Sequence, residues 1–371
     1  MSRKAKLGVL MQFFASFSFF VVQIFIPQFA ENLHANRFQI GIIATFFSFS
    51  LFLSSWISGR VADKIGRRKV LLAGFAFSAL TFSLGYFAKT YPQLFYLRML
   101  GGFSAGIYPG ALAAYVYESG GKMGKYTAFG AAGMAVSQFV SGVVVSLSGI
   151  PALFLISGSV YALSFLIAAI GIKKEKYEPI KVSIFPVEVV KRNKDIYIPL
   201  FLRHTGATGI WAYWVLYLGQ IGANNYWKGM LNVFNFGTQF IVMYFVIDRL
   251  SGRKSIGWGL ALSAFSFFYY SLCKSYLWII PGMILTGIAW SFLYAGSLKE
   301  VTERNRERAT ASGLVQSSIS LGNILGPLIA SIIVSLTGNY RITMHFAAVI
   351  TVFAYLYYFF AQKNFEKNQS V

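Results

Sequence analysis

The sequence predicts an all-α integral membrane protein, with twelve transmembrane helices forming two six-helix bundles related by a pseudo-two-fold axis along the membrane normal. Three observations carry this expectation. Of 371 residues, 56% are hydrophobic and 12% charged, with a mean hydropathy of +0.58, whereas a soluble domain carries about 25% charge. Apolar stretches of spanning length recur from end to end. The chain also aligns with itself at an offset of 185 positions. Disorder, a disulfide scaffold and a soluble enzyme are excluded together, because the apolar content is too high and Cys273 is the one cysteine.

A helix needs about 20 mostly apolar residues to cross a bilayer. Twelve segments qualify, near 7–29, 38–58, 70–88, 92–117, 126–147, 151–172, 196–221, 227–247, 256–273, 276–298, 309–335 and 342–361. The first follows the basic stretch Arg3, Lys4 and Lys6, but its apolar run far exceeds the roughly 7–15 residues of a signal peptide. It reads as a retained helix.

Charge placement then orients the chain. Of 33 Lys and Arg residues, 26 lie in the segments on one side of the bilayer and 5 in those on the other, while Arg98 and Arg203 fall inside spans. The positive-inside rule places both termini in the cytoplasm of a multi-pass protein of the cell membrane. The net charge of +21 is an orientation signal and an anchor to anionic membrane lipid, so no nucleic-acid partner is expected. The protein reads as a monomer.

The offset of 185 aligns Asp63 with Asp248, Arg68 with Arg253, Lys69 with Lys254, Gly74 with Gly259, Gly102 with Gly287 and Glu118 with Glu303. Between 63 and 118, 14 of 56 positions are identical. Shared apolar composition does not produce matched charges at loop ends. The chain therefore divides into an N-terminal bundle at 1–172, a cytoplasmic linker at 173–195 with a short amphipathic helix around 183–190, and a C-terminal bundle at 196–371. Parallel repeats of this kind are a transporter signature, with the solute site where the halves meet.

After the second span come Gly59, Arg60, Val61, Ala62, Asp63, Lys64, Ile65, Gly66, Arg67, Arg68 and Lys69. Glycine permits a tight reversal, an acid at a helix end pairs with a cation or a helix N-terminus, and clustered bases hold a loop on the inner face. The stretch resembles the loop signature G-x-x-x-[DE]-[RK]-x-G-[RK]-[RK] of the major facilitator superfamily. A degenerate copy stands at Asp248, Arg249, Leu250, Ser251, Gly252, Arg253 and Lys254. The resemblance implies that Gly59, Asp63, Lys64, Gly66, Arg67 and Arg68, with Asp248, Arg249 and Arg253, form a cytoplasmic latch between the halves. For Arg67, Arg68 and Lys69 a purely topological role stays open beside it.

Arg98, Gly102 and Gly106 in the fourth span partly resemble a second signature of that family. The glycines, with Gly110, read as packing positions. Arg98 is different, since an intramembrane cation is costly and defaults to a functional hypothesis over snorkelling. Together with Arg203, His204 and Glu118 it is a candidate for coupling or gating. The run from Gly322 to Pro327 offers a bend in the eleventh span. The fifth span holds Gly130, Gly133 and Gly142 in place of the Gly-Pro pair of a drug antiporter, which weakens an antiport assignment.

None of the twelve acids lies at mid-span, so the carboxylate usual in proton coupling is missing, and His204 is the best remaining titratable group. By the resemblance the path is lined by Gln23, Tyr108, Trp211, Trp214, Asn232, Asn235, Gln239, Trp290, Tyr294, Gln316 and Asn323. Asn232, Asn235 and Gln239 share one helical face, which must meet the cavity or bond a neighbouring helix. Tyr226, Trp227 and Trp278 near helix ends read as interfacial anchors. This lining suits a neutral or anionic small organic solute.

The sequence thus points to a secondary transporter working by alternating access, with proton coupling left open. A facilitated-diffusion uniporter and a drug or metabolite exporter share the same fold. A membrane enzyme or a non-transporting receptor is the competing class. With three histidines, no HExxH and no convergent catalytic set, no enzyme activity, metal or cofactor is expected.

Overall fold

A computed structural model describes the backbone of all residues but 24, 36, 174–178, 181, 182, 184, 224, 370 and 371, and side chains except at 27, 37, 38, 40, 41, 146, 215, 225, 226, 228, 229 and 364–369. The expectation for Tyr226 and part of the linker lie outside the described residues.

Among the described residues every regular element is a helix. The longer ones are α1 (Arg3–Gln23), α3 (Arg37–Ile65), α4 (Arg67–Leu84), α5 (Tyr91–Ala105), α6 (Pro109–Glu118), α7 (Met123–Ser148), α8 (Pro151–Gly171), α10 (Lys194–Gln220), α11 (Asn225–Phe245), α12 (Gly252–Leu272), α13 (Ile279–Arg304), α14 (Arg308–Thr337) and α15 (Arg341–Gln369). Two short α-helices, α2 (Ile26–Asn32) and α9 (Val187–Arg192), and three 3₁₀ turns, Gly85–Phe87, Ile247–Arg249 and Tyr276–Trp278, complete the set among the described residues.

Ten segments are long and apolar enough to cross a membrane. The sequence reading adds α10 and α12, whose length suffices but whose polarity is higher. Lys194, Asp195, Arg203 and His204 ride on α10, while Arg253, Lys254 and several serines ride on α12. These make twelve crossings. All regular structure is helical because no water reaches the bilayer core to satisfy a free backbone.

Three sequence expectations need correction. The fourth span is two helices, α5 and α6, because Pro109 has no N–H to donate and its ring clashes with the preceding turn. The first span likewise ends at Gln23, and α2 begins with Pro27 in its first turn. The linker helix is Val187–Arg192 and not 183–190, since Pro186 restricts the residue before it to an extended conformation. In the eleventh span the helix continues through Pro327.

The chain forms two compact units, one of Met1–Val189 with Val301–Ser317 and one of Val190–Glu300 with Ser318–Val371. In the first, α1 packs on α7 and α8, α4 on α8, and α3 on α5. In the second, α15 packs on α10 and α12.

The internal repeat extends to packing. A Cβ added at Gly74 would lie 3.1 Å from Tyr108, and one at its repeat partner Gly259 would lie 2.5 Å from the backbone of Leu293, 185 positions beyond Tyr108. Gly102 and Gly287 each face a backbone carbonyl, of Phe47 and Asn235 respectively. Small residues let helix backbones approach where lipid supplies no hydrophobic drive between helices. Gly102, Gly106 and Gly110 are all such contacts.

Candidate functional site

The loop between α3 and α4 turns at Gly66, whose φ of 96° lies in the region that favours glycine. The turn brings Arg67 beside Asp63. Arg67 Nη1 lies 2.6 Å from Asp63 Oδ1 and donates to the carbonyl of Ala62 at 2.8 Å. Its Nη2 and Nε reach both oxygens of Glu118, at 2.9 and 3.3 Å. A planar fork on a carboxylate is the strongest form of side-chain ion pair.

Asp63 is fully buried, so its charge needs further partners. It finds them on α14, where the backbone N–H of Thr310 donates to Oδ2 at 2.8 Å and the Thr310 hydroxyl donates at 2.5 Å. Thr310 stands in the first turn of α14, where backbone N–H groups are unsatisfied and the helix dipole favours an anion. Arg308, at the start of the same helix, lies 3.7 Å from Glu118. An unbroken polar chain therefore runs from Thr310 through Asp63, Arg67 and Glu118 to Arg308.

Glycines make this approach possible. A Cβ on Gly59 would lie 2.6 Å from the Ala309 carbonyl oxygen, and one on Gly110 would lie 2.5 Å from the same atom.

The remaining motif residues divide. Lys64 is exposed. Arg68 donates to the carbonyls of Ile172 at 2.8 Å and Ala169 at 3.2 Å, satisfying the last turn of α8. In the degenerate copy, Asp248 and Arg249 lie in a 3₁₀ turn, Ile247–Arg249. Arg253 pairs with Glu300 at 3.0 Å. Gly252 occupies the position that repeats Arg67, so the second copy lacks the forked hub.

Each half also buries one arginine within its helices. Arg98 is 3% exposed, donates from Nη2 to Gln23 Oε1 at 2.5 Å and sits 3.9 Å from the centroid of the Phe47 ring. Arg203 is 2% exposed and donates from Nε to the Ser263 hydroxyl at 2.9 Å. Its guanidinium carbon lies 5.0 Å from the centroids of both Phe267 and Trp290. Neither arginine has a carboxylate within ion-pair distance among the described residues. His204 meets the Asn323 amide oxygen at 3.1 Å through Nε2 and packs on Trp290 with centroids 5.1 Å apart. Trp290 stacks on Tyr294 at 5.2 Å and 5°.

Several residues expected to line a cavity make packing contacts within their own unit. Tyr108 is buried against Phe75 and shares a hydroxyl contact with Tyr161 at 3.2 Å. Trp214 belongs to an aromatic core with Tyr217 and Tyr270, and Trp211 packs on it. Asn235 donates to the Met283 carbonyl at 3.1 Å and so ties α11 to α13, while Gln239 donates to Asn235 at 2.5 Å along α11. The tyrosine and the two amides follow one rule, since a polar atom deep among helices takes a nearby partner, whereas Trp211 and Trp214 are held by ring packing. Gln23, Asn232, Trp290, Tyr294, Gln316 and Asn323 remain partly exposed.

Sequence reasoning missed Thr310, Arg308 and Glu300. A threonine in the first turn of a helix is a recognisable signal, but nothing local connects Thr310 to a carboxylate 247 positions earlier.

Comparison with known proteins follows the same lines. The chain is 29% identical over 227 residues to the multi-drug resistance efflux pump PmrA of Streptococcus pneumoniae, a match covering 57% of each protein. It therefore spans a little over half the length of that relative. It is 24% identical over 373 residues to multidrug resistance protein MdtG of Proteus mirabilis, covering 93% of this chain and 92% of that one. Its fold matches the crystal structure of the human organic anion transporter MFSD10 with a TM-score of 0.78 at 14% identity, over 96% of this chain and 99% of that one. The family pattern matches residues 8–295 and 229–370, and with the loop clasp and the packed repeat it places this chain in the Major Facilitator Superfamily.

Proposed function

We propose that the protein is a secondary transporter that carries a small organic solute across the cell membrane by alternating access, with both termini in the cytoplasm. The observation that carries this reading is the engagement of the first turn of α14 by Asp63. It is a compact, charge-dependent contact between sequence-distant helices, of the kind that can be made and broken without unfolding either. The loop residues around it act as a latch on the cytoplasmic side. Membrane lipid surrounds the monomer, and no enzymatic step is assigned.

A neutral or anionic solute is favoured because Arg98 and Arg203 are buried without a carboxylate partner, and two internal cations disfavour a positively charged cargo. The second reading, a drug or metabolite exporter, is favoured by the similarity to the efflux pump PmrA and the multidrug resistance protein MdtG. Direction and coupling are separable in one system. In proteoliposomes, movement driven by an imposed proton gradient supports coupled transport, while movement indifferent to it supports facilitated diffusion. Failure to move any class of solute would restore the receptor reading.

A further inference from the structure

The second unit contains a charge that its own residues leave uncompensated. Arg203 is 2% exposed, and among the described residues its one side-chain hydrogen-bond partner is the neutral Ser263 hydroxyl. Nη2 is buried with no hydrogen-bond partner. A guanidinium stays charged in a protein and carries five N–H donors. Isolating such a cation from water is unfavourable unless something offsets it. Aromatic rings at 5.0 Å offset part. Arg98 also leaves one nitrogen, Nε, buried without a partner, but its Nη2 donates to a side-chain amide oxygen and a ring centroid lies 3.9 Å away.

The surroundings of Arg203 are organised around Trp290. Its indole touches the guanidinium on one residue, the His204 imidazole on the next, and lies flat on Tyr294. His204 is held in turn by Asn323. Trp290 and Tyr294 are only partly buried. Ser263 holds Nε and thereby fixes the plane of the fork.

We infer that Arg203 is the docking point for a carboxylate group on the transported solute, and that the Trp290–Tyr294 stack receives the flat ring attached to it. The preferred cargo is therefore an aromatic carboxylate. A planar fork with a free Nη matches a carboxylate better than any neutral group, and the same buried cation repels an organic cation. This inference rests on the transport reading above and narrows its substrate class.

The test uses the full-length purified protein and three isosteric probes: benzoate, benzamide and benzamidine. Benzoate is expected to raise the thermal unfolding temperature in a concentration-dependent manner, with benzamide and benzamidine inactive. Equal stabilisation by all three overturns the inference without any variant being needed. Arg203→Gln should weaken benzoate binding by about 30-fold or more, and Arg203→Lys, which keeps the charge but loses the fork, by about 10-fold. Unchanged benzoate binding in Arg203→Gln also overturns it. The two readings fail separately. Wild-type proteoliposomes that move a non-anionic dye but ignore benzoate remove the carboxylate site and leave transport standing, while benzoate bound by the wild type and never moved, with no other solute moved, removes transport and leaves the site standing.

Discussion

The Asp63 carboxylate holds Thr310 twice, accepting from its backbone N–H at 2.8 Å and from its hydroxyl at 2.5 Å. One oxygen thus serves a helix N-terminus while the other faces Arg67. Asp63 thus joins the loop motif of the first half to the first turn of α14.

Replacing Asp63 with Asn keeps the shape of the side chain but removes its charge. Hydrogen bonds to a charged group contribute about 1.5–3 kcal/mol, so the latched form should lose roughly 10–100-fold in its equilibrium against the inward-open form. Cysteine labelling of cytoplasmic loop positions, in a background lacking Cys273, should rise accordingly. Unchanged labelling would remove the latch from the mechanism.

Gly59 offers the same disruption without touching charge. A valine there would drive its side chain into the Ala309 carbonyl and Thr310 Cα, already 2.6 and 2.8 Å from the first added carbon. Gly59→Val should reproduce the labelling pattern of Asp63→Asn. If only the charge variant changes labelling, the backbone approach is incidental.

Arg98 has Met283 as its repeat partner, which supplies a natural neutral replacement. Arg98→Met should abolish transport or its coupling while leaving the protein folded, as judged by a monodisperse elution profile and retained thermal transition. Wild-type transport rates in this variant would make Arg98 a packing residue.

Asn235 and Gln239 bond between and along helices. Asn235→Leu should lower thermal stability by about 0.5–2 kcal/mol, the range of interhelical hydrogen bonds in membranes, and leave solute preference unaltered. A change of preference at full stability would return these amides to the solute path.

Much of the architecture was legible because its signals are local. Span length, charge asymmetry at loop ends and the matched Asp63/Asp248 and Glu118/Glu303 positions need no tertiary information. Pro109 marked its break equally openly, yet a 26-residue apolar run outweighed it. The site was harder to read. Helices such as α10 and α11 are apolar on most sides, so periodicity does not separate a face that meets a cavity from one that meets another helix. Trp214 and Trp290 look alike in sequence, and only tertiary contacts send the first into an aromatic core and the second beside Arg203. Thr310 was invisible for a different reason, since its partner is 247 residues away.

The glycines beneath the clasp carry one more implication. A carbon added to Gly313 would lie 3.5 Å from the Gly59 Cα and 2.7 Å from the Ser55 carbonyl oxygen, and Gly110 abuts the same turn. Surfaces this smooth have no large side chain to withdraw from a socket when they part. In the proposed latch, resistance to separation at this contact would then reside in the Asp63, Arg67 and Glu118 charges instead of in interlocked side chains, and a change of a single charge there is expected to alter it.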